Sequence, residues 1–374
     1  MTRQSRFRKV QKKSDYTLVI TILALIIVGL VVLSSASAVL SYERFGSNYY
    51  FFTHQLIYGV LFGVVAFFIT SQVNYHYWKK LAAAMLVLTI FLLIVVFIPG
   101  VGLEHSGARR WIYIGSFTFQ PTELAKLTFL LYLATWLDKR QKGIKDWKYG
   151  FVPFATILSL ISFLIILQPD VGTMSVIIVI AIAIYFVAGA KFSHLALLGS
   201  GGVAMFLMLI KIAPYRMARL TVFLNPEIDP QGIGYQINQA LLAIGSGGLF
   251  GRGLGKSIQK YNYLPEASGD SIFAIIAEEL GFIRILMLIA LFMILAIRGF
   301  RVAKKAPDFY GKLIATGITS WICFQAFLNM AAISGLMPLT GIPLPFISYG
   351  GSALLFSLAS MGILVNISKH VTEK

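Results

Sequence analysis

The sequence predicts an all-α integral membrane protein of about ten transmembrane helices, with cytoplasmic termini and a long extracytoplasmic loop between helices 7 and 8. Three observations carry this. The 374 residues are 57% hydrophobic and only 13% charged, with a mean hydropathy of +0.79, against about 25% charged in soluble domains. Uncharged apolar runs of about 18 residues or more recur along the whole chain. Lys and Arg concentrate in alternate connecting segments. Together these exclude a soluble cytosolic enzyme and a disordered chain. The formal net charge of +17 is therefore read by position, and no nucleic-acid partner is expected.

The apolar runs fall at 16–40, 51–72, 80–98, 121–137, 151–168, 171–189, 193–212, 271–298, 311–334 and 351–368. They form a single membrane domain over 16–368, preceded by a basic N-terminus (1–15) and followed by a short tail (369–374). The first run is too long for a signal-peptide core, so it is read as an uncleaved span. The fourth is the weakest, because it is short and carries Glu123 and Lys126. With ten spans the N-terminus, 74–80, 138–149, 189–192, 298–312 and the tail share one side. That side holds more than twice the Lys and Arg of the other, which makes it cytoplasmic. The expected location is the cytoplasmic (inner) cell membrane, multi-pass, with the lipid bilayer as a partner.

One outer segment stands apart, 213–270. Structureless loops beyond about 12–15 residues are uncommon and usually functional. Within it Ile233, Ile237, Ala240, Leu241 and Ile244 recur at helical spacing with Gln236 and Gln239 off that face, the pattern of an interfacial amphipathic helix. The nearby Gly251-Arg-Gly-Leu-Gly-Lys-Ser257 misses the phosphate-loop pattern at Phe250 and the dinucleotide pattern at Lys256. The five histidines lack metal-ligand spacing and the single cysteine, Cys323, sits in an apolar run, so no metal site is expected.

Polar residues in costly places remain. Ionisable groups inside spans are rare and face a polar interior. Gln120, Glu123 and Lys126 fall at i, i+3, i+6 on one helical face; they read equally as a site and as a neutralised ion pair that locks packing. Asp170 lies in a tight outer turn where helix capping alone accounts for it. Arg109-Arg110-Trp111 lies on the outer side, fit to bind phosphate bidentately or to anchor at the membrane interface. Asp270 ends the long loop immediately before an apolar run, as an N-cap or as a carboxylate held at the outer surface. Glu278 and Glu279 follow roughly 12–14 Å deeper. Adjacent carboxylates there need a partner, and Arg284 or Lys126 are the cations expected to supply it.

The motifs then become recognisable in order: Gly107-Ala-Arg-Arg-Trp111, Gln120-Pro-Thr-Glu-Leu-Ala-Lys126, Arg219-Leu-Thr-Val-Phe-Leu-Asn-Pro226, Asp229-Pro-Gln-Gly-Ile-Gly-Tyr-Gln236, Ala243-Ile-Gly-Ser-Gly-Gly248, Tyr263-Leu-Pro-Glu266, Glu278-Glu-Leu-Gly281 and Pro343-Leu-Pro-Phe-Ile-Ser-Tyr-Gly-Gly-Ser352. Over nearly the whole chain they resemble the SEDS family (shape, elongation, division and sporulation). Ser34-Ser-Ala-Ser37 and Ser41-Tyr-Glu-Arg-Phe-Gly46 are more similar to its division members than to its elongation or sporulation members.

That resemblance implies a peptidoglycan glycosyltransferase that polymerises lipid II into β-1,4-linked glycan at the outer membrane face, in septal wall synthesis. Its implied partners are a class B penicillin-binding protein transpeptidase and other division proteins. The family's catalytic aspartate falls on Asp270. The family usually reads Pro-Glu-x-His-Thr-Asp-Phe-Ile-Phe where this chain has Pro265-Glu-Ala-Ser-Gly-Asp-Ser-Ile-Phe273, so the neighbours of the aspartate differ. Ser106 likewise stands where the arginine motif usually begins with Asn. Asp270 would deprotonate the acceptor hydroxyl in an inverting transfer. Arg109, Arg110 and Lys126 would bind the pyrophosphate, and Gln120, Glu123, Glu266 and Glu279 would support them. No cofactor is built in, although a divalent cation, Mg or Mn, could share the load. A lipid II flippase would depend instead on the mid-membrane charges, and a non-catalytic scaffold for the transpeptidase on an exposed span face.

Overall fold

The computed structural model describes residues 14–371 apart from 106–107, 116, 213, 226–227, 230–231 and 233. The basic stretch Arg3–Lys13, the end of the tail, Ser106 and Ile233 lie outside the described residues.

The helices run in chain order as α1 (Tyr16–Ala36), α2 (Ala38–Phe45), α3 (Tyr50–His54), α4 (Phe62–Gln72), α5 (His76–Val95), α6 (Pro121–Lys139) and α7 (Val152–Ile166). They continue as α8 (Val171–Val187), α9 (Phe192–Ile212), α10 (Pro214–Leu224), α11 (Tyr235–Gly247), α12 (Ile272–Lys305), α13 (Phe309–Ile333) and α14 (Gly351–Ser368). A π-helical turn, Gln55–Leu61, joins α3 to α4 in one apolar segment, Tyr50–Gln72. Among the described residues eight helices are long and apolar enough to cross a membrane, so the membrane-spanning part of the chain is helical. The other two predicted spans are also helical: α6, which carries Glu123 and Lys126, and α8, which has 17 residues.

Local chemistry sets the helix starts. Asp15, Asp170 and Asp308 cap α1, α8 and α13 by accepting backbone N–H bonds, and Pro121 opens α6. Asp170 uses both oxygens this way, taking the Thr173 N–H at 2.9 Å and its hydroxyl at 2.8 Å. At the ends predicted to be cytoplasmic, the Tyr75 hydroxyl donates to Asp308 and Lys79 pairs with Asp138. Helices α13 and α14 lie at the centre of the bundle, buried over most of their length, whereas α9 is mostly exposed.

Two features depart from the sequence reading. The segment between α5 and α6, a connection in an all-α reading, forms a three-stranded antiparallel sheet, β1 (Gly102–His105), β2 (Ala108–Ile114) and β3 (Phe117–Phe119). Its alternation is visible in β2, where Ala108 and Ile112 are buried and Tyr113 is exposed. The eighth span is not one continuous helix: Gly281, with φ +78 and ψ 176, breaks α12 into 272–280 and 282–305.

The break is closed by the long loop that precedes α12. The freed carbonyls of Glu278 and Glu279 accept the Arg252 and Gly253 N–H groups at 2.9 and 3.0 Å. The Phe282 and Ile283 N–H groups donate to the Gly248 and Leu249 carbonyls at 2.9 and 3.2 Å. Non-helical backbone at membrane depth is tolerated only with such partners. Within the same loop α11 buries Ile237, Ala240, Ala243 and Gly247 and packs on α12. Leu241, expected on the buried face, is 39% exposed.

A Cβ at Gly281 would collide with the Gly251 and Phe250 backbone, at a φ/ψ essentially reserved for glycine. Gly281→Ala is expected to cost about 3 kcal/mol or more and to lower the thermal midpoint in detergent. Gly199→Ala, in α9 where nothing lies within 4 Å, should leave it unchanged; equal midpoints for the two would refute this packing.

Candidate active site

Asp270 closes the turn-rich segment that leads into α12. Glu266 adopts a left-handed backbone (φ +53), which turns its carbonyl to accept the Gly269 and Ser271 N–H groups at 2.9 and 3.2 Å. The Ser268 carbonyl accepts the Tyr349 N–H at 2.9 Å. Asn329 of α13 donates from Nδ2 both to the Asp270 carbonyl (2.7 Å) and to the Ile342 carbonyl (2.8 Å). The main chain of Asp270 is thus clamped between the long loop, α13 and the segment 335–350.

Its side chain does not cap α12; the N-cap position is Ser271, without a side-chain cap bond. The partly buried carboxylate instead receives the Gln236 amide (3.3 Å) and the Ser271 hydroxyl (3.4 Å) on Oδ1. Burial above all, then the nearby Glu266 carboxylate, pushes its pKa up, while Ser271, Arg219 and Gln236 pull it down; the result is about 7. A carboxyl group with that balance exchanges a proton readily near neutral pH.

Segment 335–350 forms a wall beside Asp270. It is irregular yet largely buried, with Ile342, Leu344, Phe346, Ile347 and Ser348 inside, so its backbone needs internal partners. Gln325 of α13, one turn before Asn329, donates to the Pro343 carbonyl at 2.9 Å. Gln55, in the π-helical turn, accepts the Gly350 N–H at 3.0 Å. His54 and Tyr349 are hydrogen-bonded at 3.0 Å. Arg219 of α10 donates to the Leu339 carbonyl at 3.2 Å with its side chain exposed.

Glu123 and Lys126 form the expected i,i+3 pair, at 2.8 Å, with both residues 1% exposed. Lys126 also donates to Gln325 Oε1 at 2.8 Å and lies 5.0 Å from the centre of the Trp321 ring, and Trp321 Nε1 donates to the same Gln325 oxygen at 2.8 Å. The pair therefore sits beneath the wall and is joined to it through Gln325. Gln120 occupies the N-cap position of α6 without a side-chain cap bond.

Arg109 and Arg110 lie on β2. Arg110 donates from Nε to the Gln168 carbonyl (2.8 Å) and from Nη2 to the Pro169 carbonyl (2.7 Å), tying the sheet to the α7–α8 turn. Arg109 stands opposite Glu104 in the strand register.

The expected partners of Glu278 and Glu279 are corrected. Lys126 is held by Glu123, and Arg284 donates to the Phe250 and Leu280 carbonyls. Glu279 instead accepts from Lys260 (3.1 Å), Ser35 (2.7 Å) and the Ser257 N–H (3.3 Å). Glu278 accepts the Ser257 hydroxyl (2.5 Å) and the Ile258 and Gln259 N–H groups (3.0 and 3.3 Å), with Arg252 at 3.8 Å. The carboxylates gather the loop over the break in α12. Sequence reasoning missed Lys260, Gln236, Arg219, Gln325 and Asn329; the signal for Lys260 was a loop holding three cations just before two carboxylates that could not face lipid. Among the described residues no group of three or more His, Cys, Asp or Glu gathers at metal-binding spacing.

Removing one partner of a fully buried pair leaves a bare charge. Lys126→Met is therefore expected to lose about 3–5 kcal/mol of stability, and Glu123→Gln combined with Lys126→Met to recover most of it, read as thermal midpoints in detergent. A single variant as stable as the native chain would refute the pair.

Residues 16–373 match the cell cycle protein family of FtsW, RodA and SpoVE. Stage V sporulation protein E of Bacillus subtilis (strain 168) is 45% identical over 95% of this chain and 97% of its own. A probable peptidoglycan glycosyltransferase FtsW of Geobacter sp. (strain M18) is 40% identical over 96% and 99%. Among solved structures, a chain from a study of how a peptidoglycan synthase complex coordinates polymerization and crosslinking superposes with a TM-score of 0.80 at 28% identity, covering 96% of this chain and 99% of that one. The rod shape determining protein RodA of Thermus thermophilus gives 0.71 at 28%, covering 96% and 98%. Matched by the family model over residues 16–373, this chain belongs to the SEDS family of FtsW, RodA and SpoVE.

Proposed function

We propose that the protein polymerises lipid II into β-1,4-linked peptidoglycan at the outer face of the cytoplasmic membrane, in septal wall synthesis, with Asp270 as general base. The observation that carries this is the Asp270 carboxylate itself, clamped through its main chain, not used as a cap, and balanced near neutrality. The acceptor GlcNAc 4-hydroxyl gives its proton to Asp270 while its oxygen attacks C1 of the donor MurNAc. The bond from C1 to undecaprenyl pyrophosphate breaks with its electrons on the leaving group. Attack opposite the leaving group turns an α-linked donor into a β product.

Charge develops on the pyrophosphate, which calls for cations. Arg219, exposed and electrostatically coupled to Asp270, joins Arg109 and Arg110 in that role. Lys126, enclosed by Glu123, Gln325 and Trp321, acts from beneath by holding the wall. Glu279 acts by holding the loop over the break, and a Mg or Mn ion, where bound, would supply further positive charge at the pyrophosphate. In the ten-span reading with cytoplasmic termini, which the Lys and Arg distribution supports, Asp270 and the loop 213–270 are outside. The partner is a class B penicillin-binding protein transpeptidase, in line with the polymerization and crosslinking coupled in the similar synthase complex. The N-terminal resemblance supports a division role, and complementation of division against sporulation mutants distinguishes the branches.

Purified protein with lipid II, with and without the transpeptidase, tests the reading. Native protein should make glycan strands and folded Asp270→Asn should be slower by about 10²–10⁴-fold. Polymer from Asp270→Asn at the native rate would contradict the base; lipid II flipping in vesicles without any polymer would make the protein a flippase.

A further inference from the structure

The two oxygens of Asp270 stand in unlike surroundings. Gln236, on the first turn of α11, donates from Nε2 to the Ser271 hydroxyl at 2.9 Å and to Asp270 Oδ1 at 3.3 Å. The Ser271 hydroxyl, on a fully buried residue, lies 3.4 Å from the same Oδ1. Three side chains thus close a triangle on one oxygen. Oδ2 faces the wall, where a Cβ placed on Gly341 would lie 3.7 Å away. Gly341 has φ +70, a conformation that favours glycine, so that side of the carboxylate meets bare backbone. Asn329 meanwhile fixes the Asp270 carbonyl.

We propose that Gln236 and Ser271 are positioning residues for the general base, holding Oδ1 as an acceptor so that Oδ2, facing Gly341, takes the proton. This rests on the reading of Asp270 as base. An oxygen already accepting from two donors is the less available lone-pair site, and donors to a carboxylate favour its charged form. In the step, the acceptor O–H bond breaks and an O–H bond forms on Oδ2. The acceptor oxygen's electron pair makes the bond to C1, and the leaving pyrophosphate keeps the pair from the bond it loses. The charged groups acting on the carboxylate are Glu266 from its own segment, which opposes ionisation, and Arg219 from α10, which favours it. Ser271 stands where the family motif usually has Phe, so this triangle is not dictated by the motif itself.

The test is kcat for lipid II polymerisation by the full-length protein with its transpeptidase, from about pH 5.5 to 9. Ser271→Ala and Gln236→Ala should each lower kcat at pH 7 by about 2–5-fold and move the acid limb up by about 0.5–1 pH unit, with the rate recovering at high pH. Ser271→Thr, which keeps the hydroxyl, should restore the limb. If Gln236→Ala does not fold, Gln236→Asn, with its shorter reach, carries the same expectation. Folded variants with the native profile would overturn the proposal, as would a lower kcat with an unmoved limb, since that is a merely structural effect. Asp270→Asn run alongside separates the two levels: native activity there removes the base itself, whereas an inactive Asp270→Asn beside native-like Ser271 and Gln236 variants removes only the positioning role.

Discussion

Backbone that leaves helical geometry inside a membrane protein must find its hydrogen-bond partners within the protein, because hydrocarbon offers none. Two stretches of this chain do so. The break at Gly281 is closed by the backbone of 248–253, and the segment 335–350 is held by Gln325, Asn329, Gln55 and the Ser268 carbonyl. Asp270 lies beside the second of them. Its carbonyl is held by the Asn329 side chain, and its neighbours by the Tyr349 N–H on the Ser268 carbonyl and the Gly269 and Ser271 N–H groups on the Glu266 carbonyl, which lets its carboxylate remain outside the scaffold and open to chemistry.

Buried charge follows the same logic one level up. Glu278 and Glu279 are held by backbone N–H groups, Ser35, Ser257 and Lys260, which converts two costly carboxylates into a clasp on the loop. Glu123 and Lys126 neutralise one another below the wall, and Gln325 passes their geometry upward to Pro343. Gln325 and Asn329, four residues apart on α13, share a helix face. A single rigid helix therefore registers the ion pair, the wall and the Asp270 carbonyl against one another. Such support is what a base needs if a sugar hydroxyl is to find it in place.

Much of this was legible in the sequence, for identifiable reasons. Spans announce themselves because membrane thickness demands long apolar runs, and the Glu123–Lys126 pair followed from its i,i+3 spacing. Asp270 stood out through its motif and its place at the mouth of a span. The break in α12 did not, since an apolar run reads the same whether straight or broken; only Gly281 after paired carboxylates hinted at it. The counter-ion of Glu279 was misjudged because Lys260 is brought to it by loop closure, which no local period records. The small sheet was legible in principle, from the alternation in β2 and the Gly115 turn. Gln236, Arg219 and Asn329 reach Asp270 from separate helices, a convergence that belongs to tertiary structure alone.

The account turns on Asp270 acting as a base in this electrostatic setting. The measurement that reaches it most directly is the pH dependence of kcat for the native chain and Glu266→Gln at saturating lipid II. A base must be ionised to act, so the native rate should fall as pH drops through about 7. Removing the Glu266 charge takes away a neighbouring carboxylate that opposes ionisation, so the Glu266→Gln limb should lie at lower pH. A native rate that is flat from about pH 5 to 8, or a Glu266→Gln limb displaced upward, would contradict the account.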